Sequence, residues 1–256
     1  MTDEGTGATS PEDKDALRET VWDHLETSGE ARFPFPPHGR IPNFAGADAA
    51  ADRLAETTAW ETATTVKANP DAPQLPVRRA ALRAGKTVFV AVPRLREPEP
   101  FLRLDPDAIP SEEVDDATTV SGISEYGEPV APEAVPHVDL IVSGSVLVTP
   151  AGGRIGKGEG YSDLEFAVLR AFDAVDETTT VATTVHESQV RPADATLFDA
   201  HDVPVDVVCT PERTLTPGEQ ERSLCRPEGI DWAAVDDERL DEIPVLARLA
   251  DERGEG

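Results

Sequence analysis

Five glycines fall within nine residues in Gly152-Gly-Arg-Ile-Gly-Lys-Gly-Glu-Gly160, and Tyr161-Ser-Asp-Leu-Glu165 follows directly. Glycine adopts positive φ without steric cost, so such a run lets successive N–H groups converge on one concavity and hold an anion. Ser162 with Glu165 three residues later has the form of a capping box. It predicts a helix N-terminus, with free N–H groups and partial positive charge, at the end of the loop. Arg154 and Lys157 add two cations. Lys157 stands out because only four of the 23 basic residues are lysines: Lys14, Lys67, Lys86 and Lys157. Phosphate binding is the chemistry this collection suits. A glycine-rich turn with solvated charges is the plain alternative, and the residues by themselves leave both open. Asp163 has the chemistry of a hard-metal ligand or of a partner for the helix terminus. His201-Asp202, ahead of a strand-like run, is a second candidate pair or an ordinary turn.

Familiar nucleotide and metal motifs do not fit. Gly156-x-Gly158 is followed by Tyr161 where a dinucleotide loop needs glycine. Gly85-Lys-Thr87 ends like a P-loop, but Ala80 stands where the first glycine belongs. His186-Glu187 has Val190 in place of the second histidine of a zinc helix. Cys209 and Cys225 are too few for a disulfide framework and lack metal spacing, and Cys209 reads as a small buried hydrophobe.

The elements that must position the loop follow from periodicity and punctuation. Ser10-Pro-Glu-Asp13 predicts a helix start, Leu17, Val21 and Leu25 its buried side, and Gly29 its end. Phe33-Pro-Phe-Pro-Pro37 is an extended connection. A second helix is expected over about Ala47 to Thr62, a break over Asn69 to Pro76, and a short helix from Val77 to Ala84. Thr87–Val92 is apolar on both faces, as in a strand inside a parallel sheet. Phe101–Leu104 reads as an edge strand and residues 105–136 mainly as surface connection. Val138–Val142, Ser145–Val148, Thr180–Val185 and Val203–Cys209 are strand-like. A helix from Asp163 to about Val175 follows the glycine loop, and one more is expected over about Asp237 to Leu249. Trp22, Trp60 and Trp232 read as packing residues. Strands alternating with helices predict an α/β fold with a mainly parallel sheet flanked by helices. Residues 1–11 read as a disordered tail, 12–232 as a single α/β domain and 233–256 as an acidic C-terminal extension.

The 256 residues carry 50 acids against 23 bases, a net charge of −27. That much like charge opposes compaction in dilute buffer and is screened at high salt, so the chain reads as cytoplasmic and halophilic. Its N-terminus is acidic and polar, unlike a signal peptide, and no apolar run reaches membrane-spanning length. Basic residues neither cluster nor alternate with aromatics, so nucleic acid is not an expected partner, and a monomer is expected.

Arg154-Ile-Gly-Lys-Gly-Glu-Gly-Tyr-Ser-Asp163 resembles the signature run of the 5-formyltetrahydrofolate cyclo-ligase (methenyltetrahydrofolate synthetase) family. The resemblance extends to Lys14-Asp-Ala-Leu-Arg18, Gly85–Arg94, Glu128-Pro129, Val138–Val142 and His201–Thr210. Arg32-Phe-Pro, Arg40-Ile-Pro-Asn-Phe44, Asn69-Pro-Asp-Ala-Pro73 and Gly144-Ser-Val146 are similar to its methenyltetrahydrofolate synthetase domain-containing branch. The resemblance implies a NagB/RpiA/CoA-transferase-like fold. It implies an ATP- and Mg-dependent ligase converting 5-formyltetrahydrofolate to 5,10-methenyltetrahydrofolate, with ATP and a reduced folate as its small-molecule partners. On the same ground Lys14, Arg18, Arg154, Ile155, Gly156, Lys157, Gly158, Glu159, Gly160, Tyr161 and Ser162 form the nucleotide site. Arg154 and Lys157 act on the transferred phosphoryl group, and Asp163 and Asp202 hold Mg. The segment Asp71–Pro76 shows no obvious counterpart to the family's acidic folate contact. That departure motivates an alternative: a nucleotide-binding regulatory or RNA-associated module without folate chemistry.

Overall fold

A computed structural model describes residues 13–218 and 224–254. Its centre is an eight-stranded sheet in the spatial order Thr214–Leu215, Val207–Cys209, Thr180–Thr184, Leu140–Val142, Thr65–Ala68, Thr87–Ala91, Phe101–Leu104, Glu128–Val130. The five inner strands are mutually parallel, and the outer ones add antiparallel. Side chains alternate across this sheet, as the two-residue period of a strand requires. Val88, Val90, Leu140, Val142 and Ala182 enter one core with Leu54, Trp60 and Val77. Phe89, Ala91, Ile141 and Val181 enter a second core with Leu164, Val168 and Leu169. The mainly parallel α/β architecture is as expected. Among the described residues, no helix is long and apolar enough to cross a membrane.

The local departures have local causes. Helix Lys14–Thr27 is capped by Asp13, whose carboxylate accepts from the Ala16 amide at 2.7 Å; the expected Ser10 cap lies outside the described residues. The helix expected over Ala47–Thr62 is two, Ala47–Ala55 and Thr58–Thr62. Thr57 sits between them, and its hydroxyl accepts from the Trp60 amide at 3.2 Å, so a new N-cap wins over continuation. Strand Thr65–Ala68 occupies a stretch with no predicted element. Residues 105–136 hold helices Val114–Ala117 and Val120–Tyr126 and the edge strand Glu128–Val130. The single C-terminal helix is also two, Asp237–Glu242 and Pro244–Gly254, because Pro244 has no N–H to continue the first.

Candidate functional site

Numbered in chain order, the five parallel strands lie 2-1-3-4-5, and the order reverses between Thr65–Ala68 and Leu140–Val142. Crossovers leave the sheet in opposite directions there, so a crevice opens at the carboxyl ends of the two strands, where doubly wound folds bind ligands. The structure has a cavity of about 270 Å³ at this point. Asn69, Pro70 and Asp71 line it from the first strand's end, Val92–Arg94 from the second and Gly144 from the third. Most of its remaining wall is Arg154, Gly156, Lys157 and Glu159 to Asp163.

The loop is built in two parts. Leu147–Val148 and Arg154–Ile155 pair as a small hairpin, closed by the Thr149 hydroxyl accepting from the Gly153 amide at 2.8 Å. Gly152 is required at its turn: φ is +91°, and a Cβ there would stand 2.6 Å from the Val205 carbonyl oxygen. Arg154 is buried. Its guanidinium donates to Asp163 Oδ1 at 2.5 Å and to the Gly144 carbonyl at 3.0 Å. Burial works against its charge, yet the Asp163 carboxylate, with Asp202 and Glu165, holds its pKa above the usual value. Beyond Ile155 the chain turns outward. Lys157 lines the cavity and meets Glu159 Oε2 at 2.7 Å.

Helix Tyr161–Ala171 starts at the cavity wall, but the predicted capping box does not form. Gly160 is the N-cap, in a left-handed conformation without a side-chain cap bond. Ser162 Oγ reaches Ser143 Oγ at 3.3 Å, and Glu165 turns inward instead. The reason is Lys67. As the third residue of the central strand it points to the face on which this helix packs, opposite Val66 and Ala68. There it pairs with Glu165 and donates to Asn69 Oδ1 at 3.1 Å. A buried lysine demands a carboxylate more strongly than a helix terminus demands a cap.

Asp71, in the segment that shows no obvious counterpart to the family's acidic folate contact, lines the cavity wall. Burial pushes its carboxyl pKa up while Lys157 opposes the shift. Arg78 lies fully buried behind it, donating to the Asn69 and Asp71 carbonyls at 2.5 and 3.1 Å, with its pKa lowered by burial to about 10. Beyond Asp71 is a second cavity of about 530 Å³, lined by Phe33, Pro34, Arg40, Leu75 and Val120 and sharing Ile41, Pro70 and Asp71 with the first. Phe33 is 77% exposed and Val120 65%, so apolar surface faces solvent at its mouth.

Other predicted residues take supporting places. Arg18 Nε donates to the Gly156 carbonyl at 2.7 Å, and its guanidinium lies 3.5 Å from where a Gly158 Cβ would be. Lys14 Nζ bonds Asp202 Oδ2 at 2.5 Å and lies 3.6 Å from Asp199. Ile155 is buried in the core with Leu17 and Val21, away from the cavity. Asp163 Oδ1 also accepts from the Val203 amide at 3.0 Å. Asp199, His201 and Asp202 bring ligand atoms within 4.8 Å of one another, a group that does not include Asp163. Cys209 is buried and its thiol pKa raised by that burial to about 11, in keeping with a packing role.

Sequence reasoning missed Lys67, Asn69 and Arg94 as parts of this site. Arg94 carried a signal only in hindsight: it follows a strand and lines the cavity at φ +60°, where non-glycine residues are uncommon.

Residues 11–211 match the model of the 5-formyltetrahydrofolate cyclo-ligase family. The methenyltetrahydrofolate synthase domain-containing protein of Bos taurus is 41% identical over 237 residues, covering 92% of this chain and 61% of its own length. Its Danio rerio counterpart is 39% identical over 234 residues, covering 91% and 60%. The chain therefore spans about three-fifths of the length of these relatives. Among solved structures, the NMR structure of Aquifex aeolicus 5,10-methenyltetrahydrofolate synthetase is similar with a TM-score of 0.48 and 20% identity, over 83% of this chain and 96% of that one.

Proposed function

The chain belongs to the 5-formyltetrahydrofolate cyclo-ligase family, and from that premise we propose that it converts 5-formyltetrahydrofolate to 5,10-methenyltetrahydrofolate at the expense of ATP. The observation that carries this reading is the pair of adjoining cavities at the sheet's switch point. One is walled by the glycine loop and its cations, the other is largely apolar, and Asp71 lies between them. ATP phosphates occupy the loop cavity, and the flat pterin and aminobenzoyl rings suit the apolar one.

The chemistry asks for placement and charge neutralisation. The formyl oxygen attacks the γ-phosphorus, an O–P bond forms, the bond to ADP breaks and ADP leaves. N10 then adds to the formyl carbon, loses its proton to water, and inorganic phosphate departs as the ring closes. Lys157 and the loop N–H groups offset negative charge on the moving phosphoryl group, while Arg154 holds the loop and Asp163 in place beneath it. Asp163 Oδ1 is committed to Arg154 and Asp202 Oδ2 to Lys14, and the other oxygen of each, which bonds no hydrogen-bond donor among the described residues, would serve a cation. That donor set fits Mg²⁺ arriving with the nucleotide, since Mg²⁺ uses one or two carboxylates and fills its shell with phosphate oxygen and water. Bound there it supplies charge neutralisation to the phosphates.

We further propose a cytoplasmic protein adapted to concentrated salt, motivated by the net charge of −27. Its melting temperature should rise from dilute buffer to molar KCl, and a flat or falling profile rejects the adaptation. The activity test is the purified protein in molar KCl with ATP, Mg²⁺ and 5-formyltetrahydrofolate, followed by the methenyl chromophore. Absence of product from folded protein at saturating substrate overturns the assignment.

A further inference from the structure

Helices Asp237–Glu242 and Pro244–Gly254 lie beyond residue 211, where the family match ends, yet they are built into the molecule. Ile243, Val245 and Leu246 are buried with Leu164 and Val168 of the loop helix. Arg248 donates to both oxygens of Glu133 at 2.9 Å, and Arg96 to Glu242 at 2.8 Å. These anchors set the first helix against the glycine loop, with its Asp236 cap accepting from the Arg239 amide at 2.9 Å.

Arg239 reaches the loop itself. Its Nη2 donates to the Glu159 carbonyl at 2.9 Å, and its guanidinium covers the Tyr161 ring 5.8 Å from the centroid. Between those contacts is Gly160, at φ +71°, where a Cβ would stand 3.4 Å from Arg239 Nη2. The turn it grips has no side-chain cap of its own, and a run this rich in glycine loses much conformational entropy when ordered. A guanidinium suits the task, because it offers donors in a fixed fork and a flat face that stacks on an aromatic ring.

We infer that Arg239 is a positioning residue for nucleotide binding: it holds the Glu159–Tyr161 turn so that Lys157 and the loop N–H groups stay turned toward the cavity. The inference rests on the nucleotide reading of that loop and adds that ATP affinity, unlike folate affinity, depends on the C-terminal helix pair. It separates Arg239 from the packing residues around it, whose loss lowers stability without regard to substrate.

The test compares the full chain with Arg239→Ala and Arg239→Lys in molar KCl. Without nucleotide, amide hydrogens of residues 156–161 should exchange about tenfold faster in Arg239→Ala, while those of the central strands hold their rates. KM for ATP should rise about fivefold or more, with kcat and the folate KM changed less than about twofold. Arg239→Lys should recover part of both effects, since an ammonium restores the carbonyl bond but not the flat cover. Unchanged loop exchange overturns the inference. So does a common rise in both KM values together with a lower melting temperature, which marks a packing role only. If the parent protein fails to bind ATP, the nucleotide reading falls and the ATP part of the inference with it, while the exchange data decide separately whether Arg239 holds the turn.

Discussion

Arg154 and Lys157 stand three residues apart in one loop and do opposite work. The Arg154 side chain is 2% exposed, and both of its terminal nitrogens are engaged, by the Asp163 carboxylate and the Gly144 carbonyl. The Lys157 side chain is 36% exposed and, among the described residues, pairs only with Glu159, another member of the same loop. Ile155 explains the change, because it is buried as the end of the hairpin strand and the alternating glycines Gly156, Gly158 and Gly160 follow it. The buried half gives the loop its shape, and the exposed half offers charge to a ligand. Cations of similar formal charge in one motif are thus not equivalent, and variants can show it.

The largest expected effect is on the buried half. Arg154→Met leaves the Asp163 carboxylate without its cation, and breaking a buried pair from one side costs about 3–5 kcal/mol. Denaturant unfolding in molar KCl should show that loss, and Arg154→Met with Asp163→Leu should recover part of it. A single variant as stable as the parent would erase the distinction between the halves. On the exposed half, Lys157→Met should change stability by no more than about 0.5 kcal/mol. Its ATP affinity, measured by calorimetry, should fall by about 1.5–3 kcal/mol, or roughly 10- to 150-fold. Unaltered ATP binding in Lys157→Met would reduce the loop to a turn.

The same contrast marks what could be read from the chain. The loop, the parallel strands and the helix behind them announce themselves through glycine density, apolar runs and four-residue spacing. The family resemblance rests partly on those same stretches. Lys67 gave no such signal. A four-residue strand, Thr-Val-Lys-Ala, between a helix and a proline-rich break has too little pattern to classify, and a lysine normally argues for surface. Its burial depends on Glu165, 98 positions away, which the local sequence cast as a helix cap. Asp71 was illegible for a related reason. Its role comes from two cavities meeting, and neither exists until the strands are side by side. Arg239 lies in an acidic extension where the pattern gives a helix but no link to the glycine loop.

The smallest effect tests the floor between the cavities. Asp71 is half-buried in the wall of both cavities, and burial raises its carboxyl pKa above the ordinary value of 3.8, with Glu165 adding to the rise and Lys157, Arg78 and Lys67 opposing it. A group whose folded pKa lies above its unfolded pKa binds protons more tightly in the native state. Its contribution is therefore most favourable below the unfolded value, and is lost as pH rises through the folded one. At neutral pH the parent carries the residual cost of a buried carboxylate, which Asp71→Asn removes. The variant should melt higher than the parent near pH 7, and the gap should close as pH falls below about 4, where both side chains are uncharged. A gap that is constant with pH would mean that the carboxylate is well solvated in the cavity. A variant less stable than the parent at neutral pH would mean that the attraction of Lys157 and Arg78 outweighs desolvation, and that Asp71 belongs with Arg154 among the groups that hold the site together.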